Sequence, residues 1–181
     1  MKIWAALSNA AKGWVLLLRG DAGWRGQFTR SAAGLATALA IFVFIVFLVV
    51  IVVAIGSDIP GLFAILAGMF ALSLPLVSMA LVLAGTRTAL GVAGPTYDVL
   101  VPGTYLLMGF IIVEGLLASL IGGPIVMVSW LALGYLLYRL ARAATDWHTG
   151  ISAGFAVLTV LLLVAMRQAL YMLSSIAGSP T

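Results

Sequence analysis

Long apolar runs separated by brief polar breaks dominate this chain. Five of them, Ala32 to Ile55, Gly61 to Gly85, Val99 to Ile121, Pro124 to Leu140 and Ile151 to Ala177, are near the length that crosses about 30 Å of hydrocarbon at about 1.5 Å per residue. They predict five transmembrane helices. Ahead of them, Ile3, Trp4, Leu7, Ala11, Trp14, Val15 and Leu18 recur at spacings of three and four, while Lys2, Ser8, Asn9 and Lys12 fall mainly on the other side. That periodicity predicts an amphipathic helix, too short and too charged to span, lying in the headgroup plane. Gly20 to Gly23 ends it, and Trp24 to Ser31 forms a basic approach to the first span. The expected plan is a cytoplasmic segment over 1–31, a five-helix membrane domain over 32–177 and an exterior tail over 178–181.

Local breaks refine the plan. Pro102-Gly103 interrupts the start of the third span and leaves room for a broken or re-entrant turn there. Pro75 predicts a kink in the second span, with Ser73 and Ser78 placed to satisfy backbone groups freed by the proline. Small residues mark candidate close contacts between helices: Ala32, Ala36 and Ala40 in the first span, Gly150 with Gly154 at the start of the fifth. The run Phe42 to Val53 reads as lipid-facing. No internal repeat or inverted duplication is visible, which weighs against a repeat-built transporter.

Composition strengthens the membrane reading. At 64% hydrophobic, 8% charged and a mean hydropathy of +1.25 over 181 residues, the chain holds more apolar surface than a water-facing fold of this size can hide. No room remains for a soluble domain. The net charge of +4 lies next to apolar spans and suits anionic headgroups rather than nucleic acid. The chain has no cysteine, which removes disulfides, thiolate metal sites and a cysteine nucleophile. Basic residues scattered through the first thirty positions differ from a cleavable signal peptide, and the N-terminus is expected to be retained.

Lysine and arginine also set the orientation. Lys2, Lys12, Arg19, Arg25 and Arg30 precede the first span, Arg87 follows the second, and Arg139 with Arg142 close the fourth. The alternate connections, Gly56 to Pro60 and Gly122-Gly123, carry none. By the positive-inside rule the N-terminus is cytoplasmic and the C-terminus exterior, with an odd number of spans. A bacterial inner membrane is the expected location.

Two ionisable residues fall inside apolar runs. Glu114 lies sixteen residues after Asp98 and Arg167 nineteen after His148, roughly 24 and 28 Å of helical rise on spans that run the same way. Both reach the outer half of the membrane, where a lone charge costs at least about 2.5 to 3.5 kcal/mol. An interhelical ion pair is the expected solution. The alternatives are snorkelling of Arg167 toward the outer headgroups, beside Gln168 and Tyr171, and a protonated Glu114 carboxyl hydrogen-bonded within the bundle.

Catalytic uses are poorly supplied. His148 is the lone histidine, and Asp58, Asp98 and Asp146 sit at the membrane surfaces, so neither a metal or haem centre nor an aspartyl or serine intramembrane hydrolase is implied. The reading is non-enzymatic, without cofactor or metal. At the inner surface Arg87, Arg139, Arg142, Trp147 and His148 gather beside Tyr97, Asp98 and Asp146. They are candidates for binding anionic lipid headgroups or a protein partner, against the simpler reading of topology signals and aromatic anchors.

The stretch Leu133-Gly134-Tyr135-Leu136-Leu137-Tyr138-Arg139 through Asp146-Trp147-His148-Thr149-Gly150-Ile151-Ser152-Ala153-Gly154-Phe155-Ala156 resembles the Yip-domain membrane proteins. These are small five-span proteins with a cytoplasmic N-terminus and a short exterior tail. Their fourth-to-fifth connection often carries a cluster comparable to His148, Gly150, Ser152 and Ala156. The resemblance implies the span plan and an inner-surface connection of this kind. Thr149 between His148 and Gly150, and the lack of a long acidic N-terminal region, set this chain apart from members with trafficking or GTPase-binding roles. The residues together lead to a non-catalytic accessory or scaffold subunit, or assembly factor, partnered with other membrane proteins. The competing expectation is a small transporter or channel using Glu114 and Arg167.

Overall fold

A computed structural model describes residues 2–54, 61–94, 96–121 and 124–177. It is all helical among those residues: α1 (Lys2–Arg19), α2 (Ala32–Ala54), α3 (Leu62–Leu90), α4 (Tyr97–Ile121), α5 (Pro124–Ala144) and α6 (Thr149–Ala177), with a short 3-10 segment at Ala22–Gln27. Among the described residues four helices, α2, α3, α4 and α6, are long and apolar enough to cross a membrane. This is the make-up of an integral membrane protein. The helix α5, with Arg139 and Arg142 in its last two turns, stands outside that set. The alternate connections 56–60 and 122–123 and the tail 178–181, on which part of the orientation argument rests, lie outside the described residues.

The helix ends follow from local chemistry. Gly20, at φ +78°, takes the left-handed conformation that closes α1, with its N–H on the Leu17 carbonyl and that of Asp21 on Leu16. The Asp21 carboxylate accepts from Gly23 N–H at 2.8 Å and starts the 3-10 segment. Ser31 Oγ accepts from Gly34 N–H and caps α2. Gly91, at φ +64°, closes α3, and His148 Nδ1 accepts from Gly150 N–H at the start of α6.

The five long helices form a ring in the order α2, α4, α5, α6, α3, and α4 also touches α3 across the middle. Its centre is filled by Met79, Leu83, Leu107, Leu137, Phe155 and Leu163, all essentially inaccessible. Gly103 permits the tightest approach there: a Cβ would lie 2.6 Å from Met79 Sδ. Helix α1 crosses one end of the ring, against α4 and α5. Trp14 donates its indole N–H to the Pro102 carbonyl, and Leu17 is 1% exposed.

Several expectations need correction. Helix α4 runs unbroken through Pro102-Gly103 from Tyr97, because a proline in the second turn of a helix frees only one carbonyl near its solvated start. Ala32, Ala36 and Ala40 face outward; the packing side of α2 is Gly34, Ala38, Ile41, Phe42 and Val46. Phe42 and Val46 are therefore core residues within the run expected to face lipid, whereas Val43, Phe44, Val52 and Val53 are exposed. Gly34 sets that rotation: a Cβ there would meet the Thr29 carbonyl oxygen at 1.7 Å. Gly150 and Gly154 make no tight interhelical contact; a Cβ on Gly150 would touch His148, and one on Gly154 would enter open space. Ser73 and Ser78 bond the carbonyls of Met69 and Pro75, not that of Ala71, the acceptor that the missing proline N–H leaves free.

Candidate functional site

Three helices meet at the intramembrane charges. Glu114 on α4 is 8% exposed, and Arg167 on α6 reaches it with both terminal nitrogens, Nη1 to Oε1 at 2.7 Å and Nη2 to Oε2 at 2.8 Å. This is the bidentate geometry that gives a guanidinium its strongest carboxylate contact. Trp130 on α5 completes the cluster. Its indole N–H donates to Glu114 Oε1 at 2.8 Å, and the Arg167 guanidinium carbon lies 5.7 Å from its ring centre, within cation–π range. Both carboxylate oxygens are thus engaged, and the cation has both a counter-charge and an aromatic face.

The expected pairing of Glu114 with Arg167 is present, and Trp130 is an addition to it. An indole has one donor and no acceptor, so a half-buried tryptophan inside an apolar helix needs an oxygen nearby. Sequence placed that oxygen. Glu114 is eight residues before Gly122 and Trp130 seven after Gly123, so antiparallel helices joined at those glycines bring the two to one depth.

At the opposite end of the bundle the arginines do something different. Arg139 Nη2 donates to the carbonyls of Leu17 and Leu18, at 3.2 and 3.0 Å, and Nη1 to the Tyr135 hydroxyl. Arg25 donates to the Ala143 carbonyl at 3.1 Å. Two helix C-termini, those of α1 and α5, are each closed by a cation from another segment, where the helix dipole favours positive charge. Arg142 donates to the Trp147 carbonyl at 2.7 Å. Arg87 reaches the Gly94 carbonyl within its own connection, also at 2.7 Å. Arg30 pairs with Asp98 at 2.8 Å.

Of the candidate inner-surface residues, Arg142, Trp147 and His148 share the α5–α6 connection, Arg139 fastens α5 to α1, and Arg87 braces the α3–α4 connection. Trp147 is 7% exposed and meets the Phe155 ring edge-on. Ser152, fully buried, shares the Trp147 carbonyl with Arg142. The residues singled out around His148 thus build a fixed turn and helix cap.

Three buried hydroxyls bond within their own helices, Ser78 to Pro75, Thr104 to Leu100 and Thr159 to Phe155. Among the described residues every buried side-chain nitrogen and oxygen has a partner. Two apolar clefts lie against α3 and α6, one toward each end of the pair. One, of about 720 Å³, is lined by Gly85, Ala89, Gly154 and Ala165 among others. The second, about 870 Å³, is lined by Ala67, Gly68, Ala71 and Tyr171 and borders Arg167.

Comparison with protein-family models, with curated proteins and with solved structures finds no match for this chain.

Proposed function

We propose that this protein is a non-catalytic accessory or scaffold subunit, or an assembly factor, that works by holding another membrane protein in its plane. In this reading α5 is the fourth of five spans and the N-terminus is cytoplasmic, in keeping with the likeness to Yip-domain proteins, and the membrane is a bacterial inner membrane. The observation that carries it is the paired cleft along α3 and α6. One cleft is lined by α3 residues between Val82 and Leu90 and the other by those between Phe63 and Leu72, each about 12 to 14 Å of helix, room for side chains of a partner helix toward either end of α3. Small side chains along their walls favour close approach, which is how helices associate in lipid.

Purification in a gentle detergent is expected to recover a defined partner in fixed stoichiometry. Ala71→Trp and Ala89→Trp, which fill the clefts from a half-buried and an exposed position, should release that partner while the bundle stays folded. Repeated isolation of the bare chain would overturn the proposal.

A transporter or channel is the second reading, favoured by one observation: the Arg167 side chain is 26% exposed and borders the outer cleft. Against it, Glu114 is held by three hydrogen bonds from Arg167 and Trp130, and the hydroxyls of Ser78, Thr104, Ser152 and Thr159 bond their own helices or the α5–α6 turn instead of lining a path. Flux in liposomes containing only this protein, lost in Glu114→Gln, would favour this second reading.

A further inference from the structure

Helix α1 presents three sides, not two. Ala10, Gly13 and Leu17 are buried against the rest of the chain, with Trp14 anchored to α4. Lys12 and Arg19 are exposed on another side. The third is an apolar row at spacings of seven, four and three: Trp4, Ala11, Val15 and Leu18. Trp4 is 79% exposed, Val15 48% and Leu18 40%. At about 100° per residue, this row lies between the docked side and the cations. Docking itself prevents the bundle from covering it, because Gly13 against Phe28 and Arg139 on the carbonyls of Leu17 and Leu18 fix the rotation of α1.

We propose that this outer side of α1 inserts into the lipid leaflet at the basic end of the bundle, with Lys12 and Arg19 binding the anionic headgroups of that leaflet. An apolar row bordered by cations matches the boundary between acyl chains and phosphates. Lipid recognition thereby shifts away from Arg87, Arg139 and Arg142, which donate to backbone carbonyls, and onto α1. This inference is independent of the identity of any subunit held in the α3–α6 clefts.

The cysteine-free chain allows single spin labels at Val15→Cys and Lys12→Cys in the whole 181-residue chain, in liposomes of phosphatidylcholine and phosphatidylglycerol with no other protein present. The label at position 15 should be relaxed by oxygen and shielded from a water-soluble nickel chelate, with the reverse at position 12. Ready access of nickel to position 15 would overturn insertion and indicate a side reserved for a protein. For headgroup binding, native mass spectrometry should show phosphatidylglycerol retention falling roughly fivefold for Lys12→Gln and again for Arg19→Gln, with Lys12→Arg restoring it. Unchanged retention in the double glutamine variant would overturn that part.

Discussion

Arg167 and Arg139 lie on neighbouring helices, and each donates two hydrogen bonds to oxygens of another helix. Arg167 faces a full carboxylate and an indole ring among apolar side chains. Arg139 faces two main-chain carbonyls at the end of α1. The difference follows from the surroundings. Within hydrocarbon an ion must be neutralised nearby, whereas at the membrane surface helix-end dipoles and water together suffice. The first arrangement locks α4, α5 and α6 in register; the second fastens the N-terminal helix to the bundle.

Removing one partner of the inner pair should have the largest effect. Glu114→Ala and Arg167→Ala each leave an uncompensated charge and should cost about 3 to 5 kcal/mol, seen as lower folding yield and thermal stability in detergent. The double variant should recover part of the loss; strictly additive damage would show that the two groups act separately. Next comes Trp130→Phe, which keeps the ring and deletes one hydrogen bond to a charged acceptor, for about 2 kcal/mol. An effect as large as that of Glu114→Ala would mean that the indole, not the guanidinium, is the chief support of the carboxylate.

At the basic end the expected losses are smaller and local. Arg139→Met should cost about 1 kcal/mol and speed amide exchange in the last turn of α1 several-fold, with α4 to α6 unchanged. Exchange spreading into those helices would erase the distinction between the two regions. The smallest effect belongs to Arg30→Ala, whose ion pair with Asp98 is 31% and 45% exposed and should contribute about 0.2 to 1 kcal/mol, less at high salt.

Much of this architecture is legible in the residues, and the gaps have physical causes. Apolar run lengths locate the helices, although α3 and α5 continue past Gly85 and Leu140 to Leu90 and Ala144, because polar residues at a surface extend a helix as readily as they end it. The match in depth between Glu114 and Arg167 comes from counting residues. Helix rotation is harder to read: with apolar residues on every side of α2, periodicity cannot say that Gly34 and Ala38 face inward while Ala36 does not. That depends on the turn at Thr29. Charge counting likewise says at which end arginines gather, but not that Arg25 and Arg139 will bond the carbonyls of Ala143 and Leu17.

The clasp between Arg139 and α1 has a consequence in time. Leu17 and Arg139 are 122 positions apart, which at translation speeds of about 5 to 20 residues per second separates their synthesis by roughly 6 to 24 seconds. For that interval the last carbonyls of α1 have no guanidinium to close them. Phe28 and then Pro102 of α4 can hold Gly13 and Trp14 earlier, so α1 is fastened in stages, its C-terminal turn last, when α5 arrives.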